Sequence, residues 1–260
     1  MGLCIYSTTK KSKTKCRTKC RTKSKTETKS KTKSKTKCRT KSKTKSKTKN
    51  AKKIIKKYSS DDKSICLKSG VPLYNNSVVF QYYSKSKDNE LPGMGAGEKI
   101  KHCDVSKYEK LSSIPNWRKM LSNFWEPPGN DKTKSLFTLG GHKWRTVQHY
   151  LQGIKYMKEN PKYYHEFSLD SGSAFSKNPL LAKKMYKDIP PDTDFKMREE
   201  AEREKALYAK YSQNIYLKNM LLNTLNAKLV HFRRGKPPLI SNELMRVRQQ
   251  LRKEVCKDNN

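Results

Sequence analysis

The sequence predicts a mainly α fold, α+β in class with a few short strands, behind a disordered basic tail. Three observations lead to it. Residues 11–49 alternate a cation with a small hydroxyl or thiol side chain and offer no apolar face. Beyond residue 140 the apolar residues recur mostly at helical spacing, and β-branched or aromatic runs are short and few. Charge divides the chain in the same place: residues 1–57 hold 24 of the 60 Lys and Arg and one of the 23 Asp and Glu, so they carry +23 of the formal +37. The expected organisation is a tail over 1–57, a linker over 58–77, a folded domain over 78–255 and a short end over 256–260.

The tail is a two-residue repeat. From Lys11 to Lys49 every odd position is Lys or Arg except Glu27, and every even one is Ser, Thr or Cys. Period 2 is a strand signal only where one face is apolar, and here neither is. Such a chain cannot offset its backbone entropy by burial, and its charges repel, so disorder is expected. A polybasic tail binds nucleic acid or another polyanion without sequence preference, by counterion release. Its hydroxyls are candidate phosphorylation sites, each phosphate cancelling charge. The competing reading is a solvated low-complexity expansion.

Seven cysteines, an odd number, fall at 4, 16, 20, 38, 66, 103 and 256 without a secretory signal, which argues against a disulfide framework and for a reducing compartment. Cys16 and Cys20 have half of a zinc spacing but no matching second pair, so no metal and no cofactor are expected. No window has the apolar length of a transmembrane helix. Gly2 and Cys4 resemble a lipidation signal, but Tyr6 stands where Ser or Thr is needed. A soluble intracellular protein is the expectation.

In the folded segment, residues 78–83 (VVFQYY) form the first strand by β-branched and aromatic content. The glycine-rich run LPGMGAGEK, residues 91–99, matches no phosphate-binding pattern and reads as a flexible surface loop. Residues 116–125 mix aromatic rings, Arg118, Lys119 and a Ser-Asn pair, which suits stacking on a base and pairing with phosphate, or plain core packing. Residues 135–141 read as a strand and turn.

Trp144 to Met157 is the helix around which the reading is built. Thr146 is its N-cap, and Val147, Tyr150, Leu151, Ile154 and Met157 repeat on one face. Gln148, Gln152 and Lys155 line up on another. That polar stripe is either a binding wall or a solvated face. Further on, Asn178-Pro179 starts a helix running to Met185, and Asp192-Thr193-Asp194 caps a long one from Phe195 to about Tyr211. Residues 214–225 form a shorter helix, 227–232 a strand and 234–238 a turn. Ser241 caps the last helix, which ends at Val255.

The ordered motifs LSNF (121–124), FTLGGHKW (137–144), TVQHYLQ (146–152), NPLLAK (178–183), AKYSQN (209–214), LLNT (221–224) and LMRVR (244–248) resemble the NADAR (YbiA-like) domain family over residues 78–255. The repeat tail and the RGKPP turn are similar to copies of this domain in giant viruses of amoebae. The resemblance implies a mainly helical fold with a pocket for an ADP-ribose-like or phosphoribosyl ligand. It also implies cleavage of a ribose–nitrogen bond, for example release of ADP-ribose from guanine. On matching positions the pocket would be lined by Ser122, Asn123, Phe124, Trp144, Gln148, His149, Gln152 and Lys155.

Two departures touch the chemistry. The family's acid in its Trp-x-Thr-Val-Glu-His-Tyr motif is Gln148 here, and the family's acidic residue and Asp-x-x-Trp-Gly loop give way to His231 and Arg233-Arg234-Gly235. An amide holds a ribose hydroxyl but cannot take up a proton, and loss of a general base costs about 10²–10⁴ in rate. Three readings stand: a glycosidase whose carboxylate is Asp192, Asp194, Glu199 or Glu200, a catalytically impaired ADP-ribose reader, or a polyanion-binding protein acting through its tail.

Overall fold

A computed structural model describes residues 72–184 and 189–258 of the chain, so the tail, most of the linker and Met185 lie outside it. The described residues form a mixed α+β domain. Strand β1 (Asn75–Tyr82) buries Val78, Phe80 and Tyr82 at alternate positions, as the period of 2 requires. It pairs in parallel with β4 (Ala227–Arg233), Tyr82 opposite His231. Strand β5 (Lys236–Ile240) pairs antiparallel with β4, giving the order β1-β4-β5. The expected turn over 234–238 is thus corrected to a short turn at Arg234-Gly235 followed by an edge strand. Pro237 and Pro238 have no N–H to donate, and an outer strand is where a sheet tolerates that. The other edge is closed at one point by Val79 and Lys99, whose backbones exchange hydrogen bonds of 2.8 and 2.9 Å.

Between the sheet strands the chain is largely helical. Short helices α1 (Glu109–Ser112) and α2 (Trp117–Met120) precede a hairpin of β2 (Phe137–Leu139) and β3 (His142–Trp144). Gly140 and Gly141 turn that hairpin at φ of +62° and +78°, a region costly for side chains with a Cβ. Helix α3 (Val147–Gly153) continues as a 3₁₀ turn to Tyr156, followed by α4 (Pro161–Glu166), α5 (Ala174–Lys177) and α6 (Pro179–Lys184). The helix expected to start at Asn178-Pro179 does so: Asn178 is extended, as suits the residue before a proline, and its side chain accepts from Leu180 N–H and Leu181 N–H.

The long helix α7 (Phe195–Ser212) packs against β2, α3, α8 (Ile215–Leu222) and α9 (Asn242–Asp258). Asp194 makes no side-chain cap for it. The buried carboxylate of Asp192 instead accepts from the N–H groups of Lys158 and Glu159, tying the chain before α7 to the end of the α3 region. No described helix is long and apolar enough to cross a membrane.

The glycine-rich loop is organised by one carboxylate. Glu98 accepts from Gly93 N–H and Gly95 N–H at 2.9 and 3.0 Å, from Gln81 N–H at 3.0 Å, and from the guanidinium of Arg118 at 2.6 Å. Both side chains are buried. The loop read as flexible is therefore wrapped around a buried ion pair, and Arg118 is spent on that pair rather than offered to phosphate.

Candidate functional site

Thr146 starts α3 as expected: its hydroxyl accepts from His149 N–H at 3.2 Å and meets His149 Nδ1 at 2.8 Å. Val147, Tyr150, Leu151 and Ile154 are buried, whereas Met157 is 38% exposed because the helix has tightened and ended before it. Tyr150 faces the core and donates to Glu202 at 2.5 Å.

Three residues expected at a ligand are sealed inside. Trp144 is 0% exposed, donates from its indole to Leu139 O at 2.9 Å and packs edge-on to Tyr150 at 5.2 Å. It fastens the hairpin to α3 and has no surface left for a ligand. His149 is also 0% exposed, and burial pulls its pKa down to about 4, so the ring is neutral. Among the described residues no group meets its Nε2 in hydrogen-bond geometry. Ser122 is buried, with its hydroxyl accepting from Phe124 N–H at 3.1 Å.

The Ser122–Phe124 loop is held from two sides. Gln148 N–H donates to Asn123 O at 2.9 Å, joining the loop to the first turn of α3. From beneath, the fully buried Lys210 donates to Met120 O at 2.5 Å and Ser122 O at 3.0 Å. Among the described residues no carboxylate pairs with this amine, and burial lowers its pKa to about 7. The sequence reading missed Lys210. Its signal was positional: it stands one helical turn after Ala206 and beside Tyr211, on the face of α7 that faces inward.

Asn123 and Tyr82 open onto a cleft of about 210 Å³ between α7 and the β4–β5 end of the sheet. His231 stacks on Tyr82 at 5.2 Å and 19°, and Tyr82 bonds the Ser241 hydroxyl at 2.8 Å. Burial first, then the charges of Arg233, Lys183 and Arg203, push the His231 pKa down. Arg203 crosses the cleft and donates to Glu199 at 2.6 Å and Glu243 at 2.8 Å. Phe124 is half-buried, with the Lys183 ammonium 5.7 Å over its ring.

The polar stripe divides along the helix. Gln148 is nearly buried, and its amide makes no hydrogen bond among the described residues. Gln152 accepts from Lys155 at 3.0 Å. The same Lys155 ammonium lies 5.9 Å over Phe195, its pKa lowered by burial against an opposing attraction to Glu199.

Of the four acids considered as replacement carboxylates, Asp192 and Asp194 pair with Arg198, and the exposed Glu200 pairs with Arg246. Glu199 alone reaches the cleft, through Arg203. Glu243, unforeseen in the sequence, lines the cleft itself. Among the described residues no three His, Cys, Asp or Glu side chains cluster as metal ligands.

No protein-family model matches the chain, and no curated protein matches it. Among solved structures it is similar to the NMR structure of the E. coli protein YbiA, at 18% identity over 73% of this chain and 95% of that one, with a TM-score of 0.42.

Proposed function

We propose that the domain holds a phosphorylated ribosyl ligand of the ADP-ribose class in the cleft beside Asn123 and Phe124, as a reader rather than a hydrolase. The observation that carries this reading is the double ion pair of Arg203 with Glu199 and Glu243. An N-glycosidase needs a carboxylate that stabilises an oxocarbenium-like centre or activates water. At this cleft both carboxylates are hydrogen-bonded to one guanidinium, and position 148, beside the Asn123 loop, carries an amide.

Binding, in contrast, has its components in place. Lys183 supplies a cation and His231 a donor for phosphate, the Phe124 ring next to Asn123 supplies an apolar face, and Asn123 supplies an amide for a ribose hydroxyl, while Arg203 stays engaged with its two carboxylates. The cleft volume is below the ~300–1,000 Å³ of sites that enclose a whole drug-sized ligand. A ring with one phosphate is therefore enclosed, and the rest of the ligand lies across Phe124 and Lys183.

Calorimetry of the full chain with ADP-ribose, run beside release of ADP-ribose from ADP-ribosylated DNA, tests the reading. Binding without release is expected, weakened at least about tenfold in Phe124→Ala or Lys183→Ala, since a desolvated cation or aromatic contact contributes on the order of 1–2 kcal/mol. Turnover by the natural sequence would refute the reader, and absence of binding would refute the site.

A further inference from the structure

At the end of the sheet, the side chains that follow Tyr82 and His231 point to the opposite face. There Tyr83 and Phe232 meet edge to face at 5.4 Å and 72°, and Phe232 is 36% exposed. They wall a groove of about 300 Å³ bordered by Gln81, Lys85, Lys87 and the Gly95–Ala96 loop. The groove is wide enough for one planar base.

The unpaired charge on this surface is cationic, since Glu90, which also borders the groove, faces Arg118 at 3.8 Å. Lys85 and Lys87 are exposed and form no ion pair among the described residues, because the neighbouring acids are engaged elsewhere. Asp88 pairs with Lys119, and Glu90 and Glu98 with Arg118. The hairpin tip beyond Phe232 adds Arg233, Arg234 and Lys236, and the sequence from Ala227 to Asn242 contains no acid. Arg233 spends its guanidinium on Pro237 O and no carboxylate.

We infer that this groove is a docking surface for single-stranded nucleic acid, with a base against Tyr83 and Phe232 and the flanking phosphates on Lys85, Lys87 and the hairpin tip. The chemistry selects among polyanions. An acidic peptide would use the cations and leave the rings idle. A duplex keeps its bases stacked on one another and offers no face to a side chain, whereas an unpaired base does, and each such stack contributes a stabilisation that tolerates any sequence. The surface lies on the opposite sheet face from the Asn123 cleft, so the inference does not depend on what that cleft binds.

The test uses the full chain, tail included, with fluorescent oligothymidylate, a DNA duplex of equal length and an oligoglutamate peptide, read by anisotropy. The variant Tyr83→Leu/Phe232→Ser is expected to lose at least about fivefold in affinity for the single strand, the lower end of one lost base stack. Duplex and peptide binding, which the tail supplies, stay unchanged, and so does ADP-ribose binding. A second variant on exposed side chains, Lys85→Ser/Lys87→Ser, guards against misfolding of the first. It is expected to lower the slope of log affinity against log salt by about 1.4 for the single strand. Equal single-strand affinity in the natural sequence and the ring variant overturns the inference. So does a ring variant, folded by circular dichroism, that loses strand, duplex and peptide alike.

Discussion

Replacing Lys210 by methionine separates the two things this buried amine does. It carries a proton in a place that disfavours charge, and it satisfies backbone carbonyls under the Ser122–Phe124 loop. In the unfolded chain the amine keeps its proton to about pH 10.4, whereas in the folded domain it releases the proton above about 7. Between those values the unfolded state binds more protons, so stability rises with pH. Over pH 7–9 that rise is about 2 kcal/mol, the slope reaching about 1.36 kcal/mol per pH unit once the folded amine is fully deprotonated. It ends near pH 10.4, where the unfolded amine loses its proton as well.

The methionine variant has no proton to lose and should be flat over the window. It should also be less stable at pH 9, where the lysine is neutral in the folded state. Met120 O keeps the Tyr211 hydroxyl and Ser122 O keeps the Trp125 N–H, each at 3.2 Å, so no carbonyl is orphaned and the loss is that of the amine's own hydrogen bonds, about 0.5–1.5 kcal/mol each. Urea unfolding of both proteins at pH 7, 8 and 9 measures this. Parallel pH profiles would refute the assignment of the slope to Lys210.

Trp144→Ala should cost about 3–5 kcal/mol in chemical denaturation, as a fully buried indole that also holds Leu139 O; a loss under 1 kcal/mol (roughly the surface range) would contradict its role in the core. Glu98→Gln leaves the buried Arg118 with only the partly exposed Glu90 carboxylate at 3.8 Å, and a drop of about 3 kcal/mol is expected. Hydrogen exchange at the Gly93 and Gly95 amides should accelerate with it, and unchanged protection would show that Glu98 does not organise the loop. If the proposed reading holds, Gln148→Glu puts a carboxylate beside the Asn123 loop, and release of ADP-ribose from ADP-ribosylated DNA should appear in this variant alone. No release would count against the amide at position 148 as the reason the cleft only binds.

What the sequence made legible was local. The Thr146 cap, the buried stripe of α3, strands β1 and β4, the strand and turn over 135–141 and the final helix all declare themselves through spacing within one turn or one strand, whereas Trp144, read as the start of α3, belongs to β3. What it hid depends on partners far along the chain. Glu98 and Arg118 pair across 20 positions, and nothing in LPGMGAGEK announces that its glutamate is the centre of the loop. Helical spacing placed Gln148, Gln152 and Lys155 on one edge, but not the packing that nearly buries the first and leaves the others half-open. Trp144 carries the same ambiguity, since an aromatic beside a polar helix fits a pocket or a core, and neighbouring elements decide which. Strand β5 was hidden by its prolines, which read as a turn until β4 is seen beside them.

Those two prolines have a consequence for how the protein survives at high local concentration. A three-stranded sheet has two borders where a second molecule can add a strand and seed a growing ribbon. At β5 the adjacent Pro237 and Pro238 remove one donor from the free edge, since successive N–H groups of a strand face opposite sides, and Lys236 places a charge at its start. At β1 the Val79–Lys99 contact already occupies part of the border. Replacing both prolines with threonine and valine would leave the fold its hairpin but hand neighbouring molecules a template, and light scattering on warming would register the change before circular dichroism does.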